Sequence, residues 1–283
     1  MKKLIKIAAN FMAIAVMAVA AVGFSACEDL KTAELSLNIY DYENAKFYAE
    51  DDVKFTVDLY RHLAPKTCDV ILERIESGYY NDAIFYQEDG KIMLGEYKFE
   101  NGALVQNKID GKLPTEIYGE FEYNGTTGSN LTVSKGSIVL WRSYYATDNN
   151  FKTSDNAQNS GRATWFIPTS SNSGYDGYFC VFAQFDTEDT ANAKALSVLD
   201  EIFSNGSYYT EYVVYYTGTY DTTKVDDNYG LTFNAVKKAD FDSDTTVFKA
   251  EGEQLISYNK KTIRVPNVVT DKITAKVNKV TVK

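Results

Sequence analysis

The chain has 283 residues, 45% of them hydrophobic, which is enough to bury a sizeable core in one large domain or two small ones. Its formal net charge of −10 excludes nucleic acid as a main partner, because an acidic surface repels phosphate. Aromatic residues make up 14% of the chain, with 22 tyrosines and only four prolines, and this composition favours β-sheet over helix.

Residues 1–26 are predicted to be a signal peptide. Three lysines lie within the first six residues, and residues 7–24 are almost all apolar or small. The segment ends in FSAC at Cys27, which resembles the lipobox of bacterial lipoproteins, although Phe24 stands where that motif usually has leucine. The resemblance implies cleavage before Cys27 and two acyl chains on its sulfur, which anchor stably in a membrane. The alternative is an uncleaved membrane-spanning helix.

Residues 27–34 are acidic and polar and are predicted to be a lipidated tether. Removing residues 1–26 takes away three lysines and no acidic residue, so the net charge becomes −13 (26 basic against 39 acidic residues). Anionic lipid headgroups repel such a domain, so it is expected to stand near an extracytoplasmic membrane surface without lying on it. Cys68 and Cys180 are predicted to be buried free thiols, and the alternative is a disulfide between them.

Strand signals begin at Leu35, and the segment from Val53 to Tyr60 alternates between apolar and polar residues. A helix is predicted from Pro65, with apolar residues at helical spacing, and Gly78 ends it. A second helix is predicted around residues 195–202. Further strand signals cover residues 79–86, 136–141, 163–167, 178–185, 208–220, 231–236 and 273–282.

Many strands with two separated helices predict a mainly β fold, a closed antiparallel barrel capped by two α-helices. The sequence has no CxxC or HExxH motif and a single histidine, His62, so no metal or cofactor is expected.

Four segments, in this order, resemble the cyclophilin family of peptidyl-prolyl isomerases. They are LAPKT at 63–67, GYYNDAIF at 78–85, ATWFI at 163–167 and YDGYFCVF at 175–182. The resemblance is clearest over residues 53–185. It implies a cyclophilin-like domain over residues 35–283, in which residues 207–262 are an insertion that is atypical of the family.

The resemblance also implies a mechanism. Rotation about a prolyl bond is slow because amide resonance sets a barrier of about 18–20 kcal/mol. In the family, an arginine donates to the twisted amide and so stabilises the transition state over the planar ground state. That arginine belongs to the family motif F-H-R, and here the motif reads Phe85-Tyr86-Gln87. Gln87 therefore stands at the catalytic position without the charge.

The family's substrate-binding positions can be assigned in the same way. The two positions for apolar contact with proline fall on Ile92 and Met93. The other substrate-binding candidates are Phe85, Gly95, Trp141, Thr164, Phe166, Tyr175 and Phe179. Arg142 and Arg162 are candidates for a displaced catalytic donor.

These assignments predict a membrane-anchored, extracytoplasmic isomerase-like protein whose catalysis is weak or lost and whose partners are proline-containing segments of secreted proteins. One alternative is a non-catalytic cyclophilin-like binding lipoprotein with a peptide or protein partner. Another is an unrelated β-rich lipoprotein that captures a solute.

Overall fold

The computed structural model describes residues 30–126, 131–142, 160–218, 221, 223–224, 228, 230–243 and 260–283. The predicted signal peptide and Cys27 lie outside these residues. Within the described part, no helix is long and apolar enough to cross a membrane.

The described residues form fifteen strands. In chain order they are β1 (Leu30–Asp41), β2 (Lys46–Phe47), β3 (Lys54–Tyr60), β4 (Ala83–Glu88), β5 (Lys91–Glu100), β6 (Ala103–Gln106), β7 (Ser137–Leu140), β8 (Trp165–Ile167), β9 (Val181–Phe185), β10 (Tyr209–Thr217), β11 (Thr232–Lys237), β12 (Lys261–Pro266), β13 (Val268–Val269), β14 (Lys272–Ile273) and β15 (Ala275–Val282). Three α-helices accompany them: α1 (Pro65–Glu76), α2 (Thr190–Ser204) and α3 (Lys238–Ser243).

Eight of the strands close into an antiparallel barrel. The order around it is β4, β15, β1, β3, β9, β7, β8 and β5, and β5 pairs with β4 again to complete the ring. This confirms the predicted mainly β, closed antiparallel fold. The short helix α3 was not predicted, because six residues carry too little periodic pattern to identify a helix.

The barrel interior is built by strict alternation. Phe55, Val57 and Leu59 of β3 are buried, and the residues between them are partly exposed, as a strand with one face on the core requires. The apolar sides of α1 and α2 pack on the same interior cluster, so the two helices cover the barrel ends. In α1 the helix starts at Pro65, whose fixed φ suits the first helical turn.

A three-stranded extension leaves the barrel at β4. Near its start β4 pairs with β15, through Ile84 and Lys276, and near its end it pairs with β12, through Gln87 and Arg264. Strand β12 continues into β10 and then β11. Residues 207–262, predicted to be an atypical insertion, thus supply β10 and β11 to the sheet that also forms the barrel, and helix α3 follows β11.

Candidate functional site

A cluster of large side chains lies on the outer face of the barrel wall. It combines Met93 of β5 and Phe166 of β8 with Trp141, Tyr175 and Phe179 from the segments beside β7 and β9. We call these five residues the outer cluster. All five were candidate substrate-binding residues, and the structure brings them together.

Strand alternation places the two strand residues of the cluster. Met93 lies between Ile92 and Leu94, which are both in the barrel interior, so its own side chain is on the outside. In the same way Phe166 lies between two interior residues of β8. The two side chains are neighbours because Met93 and Phe166 pair directly across β5 and β8.

The rings of the outer cluster surround Phe166. Its ring centroid lies 6.0 Å from that of Trp141, 6.1 Å from Tyr175 and 5.8 Å from Phe179, each in an edge-to-face arrangement. Tyr175 and Phe179 also contact each other, with centroids 5.0 Å apart. Such pairs contribute about 0.5–1.5 kcal/mol each beyond their buried area. The cluster is therefore a preformed apolar surface and not a loose collection of rings.

The outer cluster has a buried floor and an accessible rim. Met93 and Phe166 are fully buried and Phe179 is 4% exposed, whereas Trp141 and Tyr175 are half-buried. Lys91 lies at the same rim, with its Nζ 5.4 Å from the Trp141 ring centroid and 5.6 Å from that of Tyr175. A ligand on this surface would meet the two half-buried rings and the ammonium, and would reach the floor only if they moved.

Arg142, one of the two candidate donors, lies beneath this rim. Its guanidinium carbon is 4.9 Å from the Phe121 ring centroid and 5.1 Å from that of Phe179, and its Nε donates to the carbonyl of Tyr178. The residue is only 3% exposed. The buried guanidinium therefore supports the aromatic rings from the inner side of the cluster.

Arg162, the other candidate donor, is bound away from the cluster. Its Nη1 donates to the carbonyl of Pro114 at 2.6 Å, and its Nη2 pairs with Glu116 at 3.1 Å. Both contacts hold the segment before β8 in place, so the structure gives the guanidinium a structural role.

Gln87 is not part of the outer cluster. It pairs across the ladder with the interior residue Ile92, whereas its neighbour Tyr86 pairs with the outer residue Met93. Gln87 therefore faces away from the outer cluster. Its side-chain oxygen accepts a hydrogen bond of 2.8 Å from Arg264, which β12 brings alongside β4.

The other candidates serve the barrel itself. Phe85 and Ile92 are fully buried in the interior cluster. Gly95 has a φ of +104°, and a Cβ there would lie 2.6 Å from the Ala163 carbonyl oxygen, so the position requires glycine. Thr164 is half-buried, and its carbonyl accepts a hydrogen bond from the backbone of Trp141.

An ionic cluster that was not predicted from the sequence lies between the barrel and the extension. Lys261 of β12 places its Nζ 2.7 Å from Glu88 and 3.5 Å from Glu96. The hydroxyls of Tyr86 and Tyr97 each donate to Glu96 at 2.8 Å, and both tyrosines are fully buried. We call these five residues the ionic cluster. Only the tertiary contact between β12 and the β4–β5 hairpin creates it.

Burial and charge shift the pKa values of this cluster. Burial raises the pKa of Glu88 above its ordinary value, and the charge of Lys261 only partly opposes that rise. Burial alone would lower the pKa of Lys261, but the negative charges of Glu96 and Glu88 outweigh it and raise that pKa. Without the charge of Lys261 the pKa of Glu88 would lie higher still.

The two described cysteines are both free and buried, which confirms that prediction. Burial raises the pKa of the Cys180 thiol to about 12, so at neutral pH it stays protonated and unreactive. Among the described residues, no group of three or more His, Cys, Asp or Glu side chains is arranged to hold a metal ion.

Comparison with known proteins agrees with the architecture. The family model described as "Cyclophilin type peptidyl-prolyl cis-trans isomerase/CLD" matches residues 45–201, more than half of the chain. The chain is similar to a solved Cryptosporidium parvum cyclophilin type peptidyl-prolyl cis-trans isomerase, with 17% identity over 63% of this chain and 88% of that chain and a TM-score of 0.40. A second structure of that enzyme, in the presence of the dipeptide Ala-Pro, is 16% identical over 62% of this chain and 89% of that chain, with a TM-score of 0.38. No curated protein matches the chain.

Proposed function

The chain belongs to the cyclophilin-type peptidyl-prolyl cis-trans isomerase family, and on that premise we propose that it is a membrane-anchored extracytoplasmic member whose catalysis is weak or lost. Its partners would be proline-containing segments of secreted proteins. The proposal rests first on the outer cluster, which offers two half-buried aromatic rings over a rigid apolar floor.

A proline ring suits this surface. It is apolar and compact, and it can lie against the Trp141 and Tyr175 rings without leaving a polar group unpaired. A proline-containing segment is also extended before binding, so it loses little conformational entropy on the surface. The buried rings beneath keep the rim in place, and this pre-organisation favours binding.

The expectation of weak catalysis rests on the arginine position. Gln87 is neutral, faces away from the outer cluster and already accepts a hydrogen bond from Arg264. Removing one donor of this kind costs about 2–4 kcal/mol of transition-state stabilisation. That corresponds to a roughly thirty- to thousandfold loss of rate, since each 1.36 kcal/mol is tenfold.

Membrane anchoring is proposed from the sequence of residues 1–27. The lysine-rich start, the apolar run and the cysteine that ends it are the features of a lipoprotein signal. Replacement of Cys27 by serine tests this: metabolic labelling with a radioactive fatty acid should label the parent chain and not the Cys27→Ser variant. Equal labelling of the two chains would refute the anchor.

The second candidate is a purely binding lipoprotein for a peptide or protein partner. The observation in its favour is that both candidate donors have structural roles, with Arg142 buried under Phe179 and Arg162 bound to Pro114 and Glu116. In this form the family's fold retains a peptide-binding face and performs no isomerisation.

One titration tests the proposed binding. The full-length chain in mild detergent is titrated with the peptide Ala-Ala-Pro-Phe beside two alanine variants. Trp141→Ala should weaken binding at least tenfold, because it removes half of the rim. Tyr48→Ala is the matched aromatic control, since Tyr48 packs on the barrel interior and under Lys194. Equal binding by all three proteins would show that the outer cluster is not the site.

Isomerisation of the same peptide separates the two candidate functions. A slow catalysed rate that Trp141→Ala abolishes supports a weak enzyme. A rate equal to that of the uncatalysed peptide, together with binding, supports the binding lipoprotein.

A further inference from the structure

Lys91 is an unusual residue at the rim of the outer cluster. It begins β5 directly after the turn from β4, on the same face as Met93, and its ammonium lies above two aromatic rings. A cation over aromatic faces is held in place by their negative quadrupoles. The two rings therefore favour a position of the ammonium beside the surface that a ligand would cover.

No described carboxylate within 4.0 Å neutralises this charge. Glu88 stands directly opposite Lys91 in the β4–β5 ladder, but its carboxylate is paired with Lys261 at 2.7 Å. Asp176 follows Tyr175, and its carboxylate accepts the backbone N–H of Val133 at 2.7 Å. Among the described residues, the rim thus carries the positive charge of Lys91, although the chain as a whole is acidic.

We propose that Lys91 selects ligands that carry a carboxylate side chain beside the apolar or proline residue bound at Trp141 and Tyr175. This inference rests on the proposed function, because it specifies the ligand of that same surface. An apolar ring would cover the two aromatic side chains, and an adjacent aspartate or glutamate would accept hydrogen bonds from the ammonium. Such charge-assisted hydrogen bonds are stronger than neutral ones.

The net charge of −10 does not outweigh this local effect at physiological salt. Screening reduces interactions between exposed charges beyond about 8 Å at 0.15 M ionic strength. The Lys91 ammonium contacts the ligand and therefore decides whether an acidic, neutral or basic ligand is preferred. The more distant carboxylates of the chain contribute little to this preference. A cationic side chain at the same place would face the Lys91 charge directly and would be disfavoured.

Three end-blocked peptides test the proposal: Ala-Glu-Pro-Glu-Ala, Ala-Gln-Pro-Gln-Ala and Ala-Lys-Pro-Lys-Ala. The glutamine peptide matches the glutamate peptide in shape and lacks its charge, and charged residues on both sides of proline make the result independent of chain direction. The full-length chain in mild detergent should bind the glutamate peptide about fivefold more tightly than the glutamine peptide. The lysine peptide should bind most weakly, and 0.5 M sodium chloride should reduce these differences.

Two variants of the same residue provide the controls. Lys91→Met keeps most of the length of the side chain, removes its charge and should abolish the preference for glutamate. Lys91→Glu should reverse it in favour of the lysine peptide. Binding of all three peptides with equal affinity by the parent chain would overturn the role of Lys91 and leave the proposed function standing. Binding of none of them would overturn both.

Discussion

Replacing Lys261 by methionine should destabilise the protein by about 2 kcal/mol at neutral pH. Removing one partner of a fully buried ion pair costs about 3–5 kcal/mol, whereas an exposed pair contributes about 0–1 kcal/mol. The pair of Lys261 and Glu88 lies between these cases, since their side chains are 23% and 11% exposed. Methionine fills similar space, so the decrease in unfolding free energy comes mainly from leaving the carboxylates of Glu88 and Glu96 without the ammonium.

The size of this effect should depend on pH. Burial raises the pKa of Glu88 in the folded protein, so the folded state binds its proton more tightly than the unfolded state does. Protonation of Glu88 makes its full contribution to the free energy of unfolding below the ordinary pKa of 4.5. This contribution is lost as pH rises through the raised pKa of the folded state. Without the charge of Lys261 the pKa of Glu88 rises further. The Lys261→Met variant should therefore lose less stability at pH 4.5 than at pH 8.

Urea unfolding at both pH values measures these differences. Lys276→Met is the matched control, because Lys276 pairs with Asp82, whose side chain is 65% exposed, and this change should cost no more than about 1 kcal/mol. Adding Glu88→Gln to Lys261→Met should restore part of the loss, since it removes a buried charge. If Lys261→Met costs no more than Lys276→Met at pH 8, the ionic cluster does not hold the extension on the barrel.

Three further predictions follow from single positions. Gly95→Ala should cost more than 2 kcal/mol of unfolding free energy, because its Cβ would lie 2.6 Å from a backbone carbonyl oxygen. Gly102 also has a positive φ but has open space around it, so Gly102→Ala should cost about 1 kcal/mol in the same urea assay. Gln87→Arg should give no gain in isomerisation of a proline tetrapeptide and should lower the melting temperature by several degrees, because it sets a second guanidinium against Arg264. The two buried thiols, whose pKa values burial raises, should react with a thiol reagent only after unfolding in urea, and fast reaction in the folded protein would contradict their placement.

Local periodicity was enough to predict much of the fold. The alternation in β3 and the helical spacing after Pro65 each show, within a few consecutive residues, which side of the element faces the core. Both elements could therefore be predicted from the sequence. Five of the nine substrate-binding candidates lie together in the outer cluster, and the family motifs had assigned each of them separately. Their spatial grouping then follows from the pairing of β5 with β8.

The sequence could not predict what depends on distant chain segments. Gln87 was assigned from its place in a motif, but a motif does not show which face of a strand a residue occupies at the end of a barrel. The partner of Gln87 is Arg264, which lies 177 positions away in the chain. The same holds for Lys261 and its two glutamates, and the two aromatic rings beside the Lys91 ammonium also come from other segments of the chain.

We propose that the outer cluster binds proline-containing segments on a barrel that has lost most of the family's catalysis. Exchange NMR on one sample of the full-length chain with a proline tetrapeptide measures both properties together. We expect shifted peptide resonances, absent with Trp141→Ala, and cis–trans exchange at or close to the uncatalysed rate. Rapid catalysed exchange that survives Trp141→Ala would show that both proposals are wrong.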